Sequence, residues 1–212
     1  PAGVLDSLGA PLAQEGGRVV GLDLSEPMIA GVSRKSAGLS NTRWVVGDMR
    51  GFELGETFGL VLIPGHAFQN LNAGREQADC LTCAWRHLEP GGVLAVHLDH
   101  MGRENMRWLG DLCGELGGVF EPAELFRHPE TGRQVRTSRA WSYEPSTQSA
   151  TVRTTWEELD DEGQVASRVE REPVRLHVVF RLEMEHLLTR TGFQDAIVYG
   201  DFHRQPLGDD SA

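Results

Sequence analysis

The sequence is poor in several things that whole classes of protein require. Three cysteines in 212 residues, an odd number, give no disulfide framework and point to a reducing cytoplasm. Lys35 is the single lysine, so no Tyr-x-x-x-Lys catalytic pair is present. Positive charge is scarce: the net charge is -11 and the pI about 5.2, which excludes nucleic acid or an anionic membrane as the main partner, since both need a basic face. No run approaches the roughly 18 apolar residues of a membrane span, and no secretory signal is evident ahead of the first apolar segment. Cys80 and Cys83 form a C-x-x-C, but they fall within Gln77 to Leu88, an amphipathic helical pattern with no second pair, and read as small buried apolar residues. His97, Asp99 and His100 make no metal site, because strand alternation puts His97 and Asp99 on one face with His100 beyond it, and no third ligand is indicated.

What is present is a series of short apolar runs, each ending in polar residues. A chain of this length suits one domain with an insertion. Arg18 to Leu22 is apolar and β-branched, the pattern of a strand buried on both faces, and Asp23 stands where it ends. An acid at the carboxyl end of a parallel strand can accept both hydroxyls of a ribose, although a solvated strand-end Asp fits the same pattern. Ser25 is placed to cap the next helix, with Pro27 in its first turn. Val45 and Val46 predict a further strand closed by Gly47-Asp48-Met49-Arg50. Phe58 to Pro64 is a continuous apolar strand, followed by Gly65-His66-Ala67-Phe68-Gln69-Asn70-Leu71. Gln77 to His87 predicts a helix stopped at Leu88-Glu-Pro90-Gly91-Gly92, and Val93 to Leu98 the next strand.

From Val119 the pattern changes. Val135 to Tyr143, Thr151 to Leu159 and Val165 to Arg181 alternate in character between turn signals, which predicts an antiparallel meander. Arg181 to Thr191 returns to helix, stopped by Gly192, and Phe193 to Tyr199 predicts one more strand. Near the start, Gly3-Val4-Leu5-Asp6 looks like a strand end and Leu8 to Gln14 a helix, yet only Ser7 separates them. Connections of this kind take about 2–6 residues.

These anchors resemble class I S-adenosylmethionine-dependent methyltransferases, especially the small-molecule branch that includes aminosugar N,N-dimethyltransferases. That family carries Val-Leu-Asp/Glu followed by a Gly-x-Gly-x-Gly loop, a helix, and a strand ending in an acid. Both flanks are here, at Val4-Leu5-Asp6 and Val19 to Ser25, while the glycines are not. Either the loop was lost or residues are missing between Ser7 and Leu8; the close match of the flanks favours the second. The resemblance implies a doubly wound, mostly parallel Rossmann-like α/β fold. Its cofactor core would be residues 1–118, its antiparallel β insertion residues 119–180 lying over the acceptor, and residues 181–212 a return to the core without the family's seventh strand. It implies S-adenosylmethionine bound by Asp6, Asp23, Leu24, Met28, Gly47, Asp48, Met49, Pro64, Gly65 and Phe68, with Asp23 on the ribose and Asp48 on the adenine amino group.

His66 is the candidate general base, since imidazole changes charge near neutral pH, and a histidine that merely bonds the backbone fits equally. Around the acceptor the expected residues are His66, Gln69, His100, Trp141, Tyr143 and Arg181, with Trp156 in ordinary sheet packing. The expected activity is methyl transfer to nitrogen or oxygen of a small molecule. The sequence leaves open the acceptor and the oligomeric state, a homodimer included. Two alternatives stand beside it: an NAD(P)-binding oxidoreductase, which also places an acid after its second strand, and a non-catalytic nucleoside-binding protein if the glycine loop is truly absent.

Overall fold

The computed structural model describes residues 5–99, 102–113, 123–128, 131–209 and 211, and of Asp6 only the backbone. The chain divides into two compact units. Pro1–Phe68, Ala73–Leu98 and Glu185–Asp195 form the first; Gln69–Asn72, Asp99–Met184 and Ala196–Ala212 form the second.

In the first unit, Leu5–Gly9 winds as a π-helical turn and continues directly into α1 (Ala10–Gln14). The strand expected to end at Asp6 is therefore not formed: Gly3 and Val4 lie outside the described residues, while Leu5 and Asp6 are helical. With Ser7 as the only spacer, the backbone has no room for a strand-to-helix connection and satisfies its N–H groups by helical winding. Next come β1 (Val19–Asp23), α2 (Glu26–Lys35) and β2 (Thr42–Val46). Ser25 caps α2 by accepting from the Met28 N–H at 3.4 Å, and Ile29 and Val32 face inward. β1 and β2 pair in parallel, Val19 opposite Thr42 and Asp23 opposite Val46. The Trp44 indole lies so close over Gly9 and Gly21 that a Cβ at either position would collide with it. Its N–H donates to Ser36 Oγ at 2.7 Å, and that hydroxyl donates to the Val32 carbonyl.

β3 (Phe58–Ile63), α3 (Gly74–Arg86) and β4 (Leu88–Val96) follow. β3 and β4 are also parallel, Leu60 opposite Val93 and Ile63 opposite Val96, with an irregularity after Phe58 that absorbs Glu89 to Gly92 into the start of β4. That segment reads in the sequence as a helix stop preceding the strand; here it does both. α3 buries Gln77, Cys80, Leu81, Cys83 and Ala84. Burial pushes the Cys80 thiol up to about 12, so it stays protonated and packs as an apolar group. His87, just past α3, is buried with both ring nitrogens on the backbone: Nδ1 bonds the Cys83 carbonyl at 2.8 Å and Nε2 accepts from Leu54 N–H at 3.1 Å.

Among the described residues the two parallel pairs are separate two-stranded sheets, beside one five-stranded antiparallel sheet, so the expected single, mostly parallel sheet is not formed. In a doubly wound sheet of order 3-2-1-4-5 the first strand joins the two halves, and here its expected residues Leu5 and Asp6 are helical.

The second unit holds α4 (Arg103–Leu112) and the meander β5 (Glu124–Arg127), β6 (Gln134–Glu144), β7 (Ser149–Leu159), β8 (Val165–Glu170) and β9 (Val174–His177). The stretch expected as one strand from Val165 to Arg181 is two, pairing with different halves of β7, and Arg181 already opens α5 (Arg181–Arg190). Pro173 lies in the break, where a missing N–H cannot join a ladder. One face of β6 and β7 packs on α4: Leu109 and Leu112 meet Ala150 and Val178, with Trp108, Trp141, Tyr143 and Phe180 around them. The strand expected at Phe193 to Tyr199 is irregular, with a lone bridge between Tyr199 and Pro206. Ile197 is 73% exposed, since among the described residues no strand takes its edge.

Candidate functional site

Asp23 and Asp48 are the centre of the candidate site. Asp23 ends β1 and pairs with Val46, the last residue of β2; the chain then turns through Gly47, whose N–H donates to the Asp23 carbonyl at 3.0 Å, to Asp48. The two carboxylates thus leave the same, carboxyl end of adjacent parallel strands, the edge at which open α/β sheets bind ligands. Each closes the same local turn: Asp23 Oδ1 accepts from Ser25 N–H at 2.8 Å, and Asp48 Oδ1 from Arg50 N–H at 2.9 Å. A Cβ on Gly47 would stand 2.9 Å from Leu22 Cδ1, so a side chain there would have to displace the Leu22 methyl.

The acids differ in their remaining capacity. Among the described residues Asp23 Oδ2 carries no hydrogen bond beyond the turn on Oδ1. Asp48 is gripped by the Arg50 guanidinium, with Nε at 2.9 Å and Nη2 at 2.6 Å from Oδ2. Arg50 also pairs with Glu76, whose other oxygen accepts from the Ala73 N–H at 3.3 Å as α3 begins. The Arg50 hydrogen bonds hold the Asp48 carboxyl below its ordinary range, and the same contacts raise Arg50. Sequence reading missed this triad: Arg50 stands inside the quoted motif, but Glu76 comes from a helix with no local signal linking it.

The other expected residues are placed unevenly. Leu24 is 65% exposed just beyond Asp23, and Met28 sits half-buried in the first turn of α2. Met49 is half-buried within the Asp48 turn. Gly65 and His66 both take left-handed backbone, φ 60° and 64°; for histidine that conformation is strained. It brings the His66 ring edge-on to His97, centroids 4.3 Å apart, past the ends of β3 and β4. Phe68 is fully buried and serves as core, so it offers no face to a ligand here. Gln69 is 2% exposed and spends its amide internally, accepting from Asp99 N–H at 3.0 Å and donating to the His177 carbonyl at 3.4 Å. Trp141 and Tyr143 join the apolar cluster on α4, Trp141 edge-on to Trp108 at 5.2 Å, and burial raises the Tyr143 hydroxyl pKa. Arg181 is the exposed first residue of α5, and Trp156 packs edge-on to Phe126 under Arg171. His100 and the side chain of Asp6 lie outside the described residues. Among the described residues no three His, Cys, Asp or Glu side chains are grouped to hold a metal ion, and no helix is long and apolar enough to cross a membrane.

Residues 7–92 match a methyltransferase domain family, and this stretch contains β1, β2, both carboxylates and the His66 turn. No curated protein matches the chain. Among solved structures it is similar to the CcbJ methyltransferase from Streptomyces caelestis, at TM-score 0.72 and 23% identity over 95% of this chain and 74% of that one. It is also similar to an amino pentose methyltransferase from Micromonospora echinaspora, at 0.63 and 24% over 89% and 71%. A sugar N-methyltransferase from Streptoalloteichus gives 0.68 and 20% over 88% and 67%. These likenesses establish a Rossmann-like α/β fold, and the methyltransferase domain match covers residues 7–92, less than half of the chain.

Proposed function

We propose that the protein transfers a methyl group from S-adenosylmethionine to the nitrogen or oxygen of a small molecule, with an amine on a sugar-like acceptor as the first class to test. The observation that carries this reading is the pair Asp23 and Asp48, side by side at the carboxyl ends of β1 and β2 within a methyltransferase domain. Their donor and acceptor chemistry fits an adenosine. Asp23 has lone pairs left for the ribose diol. Asp48, kept ionised by Arg50, retains capacity to accept from the exocyclic amine. The amine preference draws on two of the similar structures, described as an amino pentose methyltransferase and a sugar N-methyltransferase.

Bound S-adenosylmethionine supplies an already activated sulfonium methyl. The protein's work is then to hold the adenosine, align the acceptor, exclude water and receive at most one proton. Residues 1–118 are assigned to the nucleoside, and the antiparallel insertion, residues 119–180, to the acceptor. The free Cys80, Cys83 and Cys113 support a cytoplasmic location as part of the same proposal.

Calorimetric titration with S-adenosylmethionine, S-adenosylhomocysteine and NAD tests the reading directly. Binding of the first two, weakened in D23N and D48N, is the expected result; binding of NAD alone overturns it. The second reading, a nucleoside-binding protein without turnover, is favoured by the helical Leu5–Gln14 segment, which holds no glycine-rich turn. A panel of amino sugars, amines and phenols assayed for release of the homocysteine product separates the two.

A further inference from the structure

We infer that Glu76 is a specificity residue for the base: it keeps the Arg50 guanidinium on Asp48, so that a purine with an amine at position 6 is accepted and one with an oxygen there is refused. This deepens the methyltransferase reading and rests on it, since that reading has Asp48 accept from the adenine amine. Every residue the inference uses belongs to the first unit.

The segment after β2 is held by one stripe of α3. Asp48 opens a turn, its carbonyl accepting from Gly51 N–H at 3.1 Å. The Cys83 thiol then lies 3.6 Å from the Arg50 carbonyl, and His87 Nε2 accepts from Leu54 N–H at 3.1 Å, with the His87 ring 4.4 Å from that of Phe52. Glu76 shares this stripe with Cys83 and with His87 at the C-cap, because positions i+7 and i+11 return to within about 20° of position i on an α-helix. Cys83 and His87 therefore fix the backbone of residues 50–54 without help from Glu76. An ion pair between groups this exposed adds little to stability, so the fold has small need of the Glu76 contact.

What Glu76 adds is the placement of a cation. The Arg50 guanidinium is held on two sides. Its Nη1 donates to Glu76 Oε1, while Nε lies 3.0 Å from Asp48 Oδ1 and 2.9 Å from Oδ2, and Nη2 lies 2.6 Å from Oδ2. Glu76 is fixed in turn, its Oε2 accepting from Ala73 N–H at 3.3 Å at the N-cap of α3. A fork that meets a carboxylate from one side leaves the unused lone pairs on the other, and an acceptor is what an exocyclic amine needs. Adenine and hypoxanthine differ at that atom: the 6-amine donates, whereas the 6-oxygen only accepts and is repelled by a carboxylate. An Arg50 let go by Glu76 has donors to offer the 6-oxygen, which works against the preference. Refusal of the wrong base thus depends on the cation being kept occupied.

The test uses the full chain. Isothermal titration with S-adenosylhomocysteine and S-inosylhomocysteine, which carry the same charge and differ only in the base, gives the ratio of the inosine Kd to the adenosine Kd. In E76A that ratio should fall about 10-fold or more, partly through tighter binding of the inosine compound. In the R50Q background, adding E76A should leave the ratio within about twofold, because no guanidinium remains to be restrained. Loss of the Ala73 cap would instead act equally in both backgrounds and on both ligands. Side-chain nitrogen spectra of the ligand-free protein give an independent reading: hindered rotation should resolve the Arg50 Nη protons in wild type, and E76A should average them. An unchanged ratio in E76A, a fall of the same size in both backgrounds, or Arg50 signals equally averaged in wild type and E76A overturns the assignment. Failure of wild type to bind S-adenosylhomocysteine strikes the methyltransferase reading and the base assignment with it, while the Arg50 spectra still show whether Glu76 holds the guanidinium.

Discussion

Replacing Asp48 with asparagine isolates the contact on which the proposed adenine recognition rests. The side chain keeps its size and one oxygen, and it lies at the surface, 31% exposed, so the fold should lose little. What changes is the charge. A hydrogen bond to an ionised acceptor is worth about 1.5–3 kcal/mol, against about 0.5–1.5 for a neutral one. The difference of roughly 1–1.5 kcal/mol corresponds to about a 5- to 15-fold rise in Kd for S-adenosylhomocysteine. A second effect has the same sign: the Asn amide can turn its own donors toward the adenine amino group once Arg50 no longer fixes a carboxylate with bonds at 2.6 and 2.9 Å. D48A, with no acceptor at all, should be weaker still. Isothermal titration beside a urea melt separates the two properties. A Kd for D48N within twofold of wild type, with unchanged stability, would remove Asp48 from the adenosine site and the main support for the proposed function with it.

Other outcomes follow from the same geometry. Arg50 holds Asp48 below the ordinary carboxylate range, so the acid-side loss of wild-type affinity for S-adenosylhomocysteine should lie at lower pH than an unpaired carboxylate would give. In R50Q the loss should begin at higher pH, because the folded-state pKa returns toward the ordinary one; coincident acid limbs in the two proteins refute this. Leu81 is fully buried in α3, so L81A should cost about 2–5 kcal/mol in a denaturant melt, and a loss under 1 kcal/mol would contradict its place in the core. W44F removes the 2.7 Å indole bond to Ser36 and should destabilise by about 1 kcal/mol while leaving nucleoside binding unchanged. W141A should destabilise by about 3–5 kcal/mol if the ring is packing for α4; a stable W141A with altered acceptor preference would return Trp141 to the acceptor site.

Much of the fold was legible because local signals and tertiary context agree. Ser25 and Pro27 start α2 where a cap and a first-turn proline belong, and β1 and β3 are apolar runs too short for helices. Where they disagreed, context won. Val4-Leu5-Asp6 reads as a strand end, but the single residue Ser7 before the helical pattern cannot carry the crossover, and Leu5 and Asp6 wind into the helix. Phe193 to Tyr199 has the composition of a strand, yet a strand exists only as a partner of another, which its own residues cannot supply.

The site divides along the same line. Asp23 and Asp48 could be found because each is tied to its position by its own strand and a turn closed two residues later, all within a few residues of sequence. Trp141, Tyr143 and Gln69 were marked for the acceptor by type alone, and the structure uses them otherwise: two rings pack around α4 and the amide stitches Asp99 to His177. Composition cannot distinguish an aromatic that meets a ligand from one that meets a helix. Conversely, Glu76 behind Arg50 has no periodic signature. A carboxylate that orients a functional group has only to arrive within about 3 Å of it, and helices can deliver that from many sequence separations. The proposed nucleoside contacts are therefore written locally in this chain, while control of the ionisable groups is written in its folding.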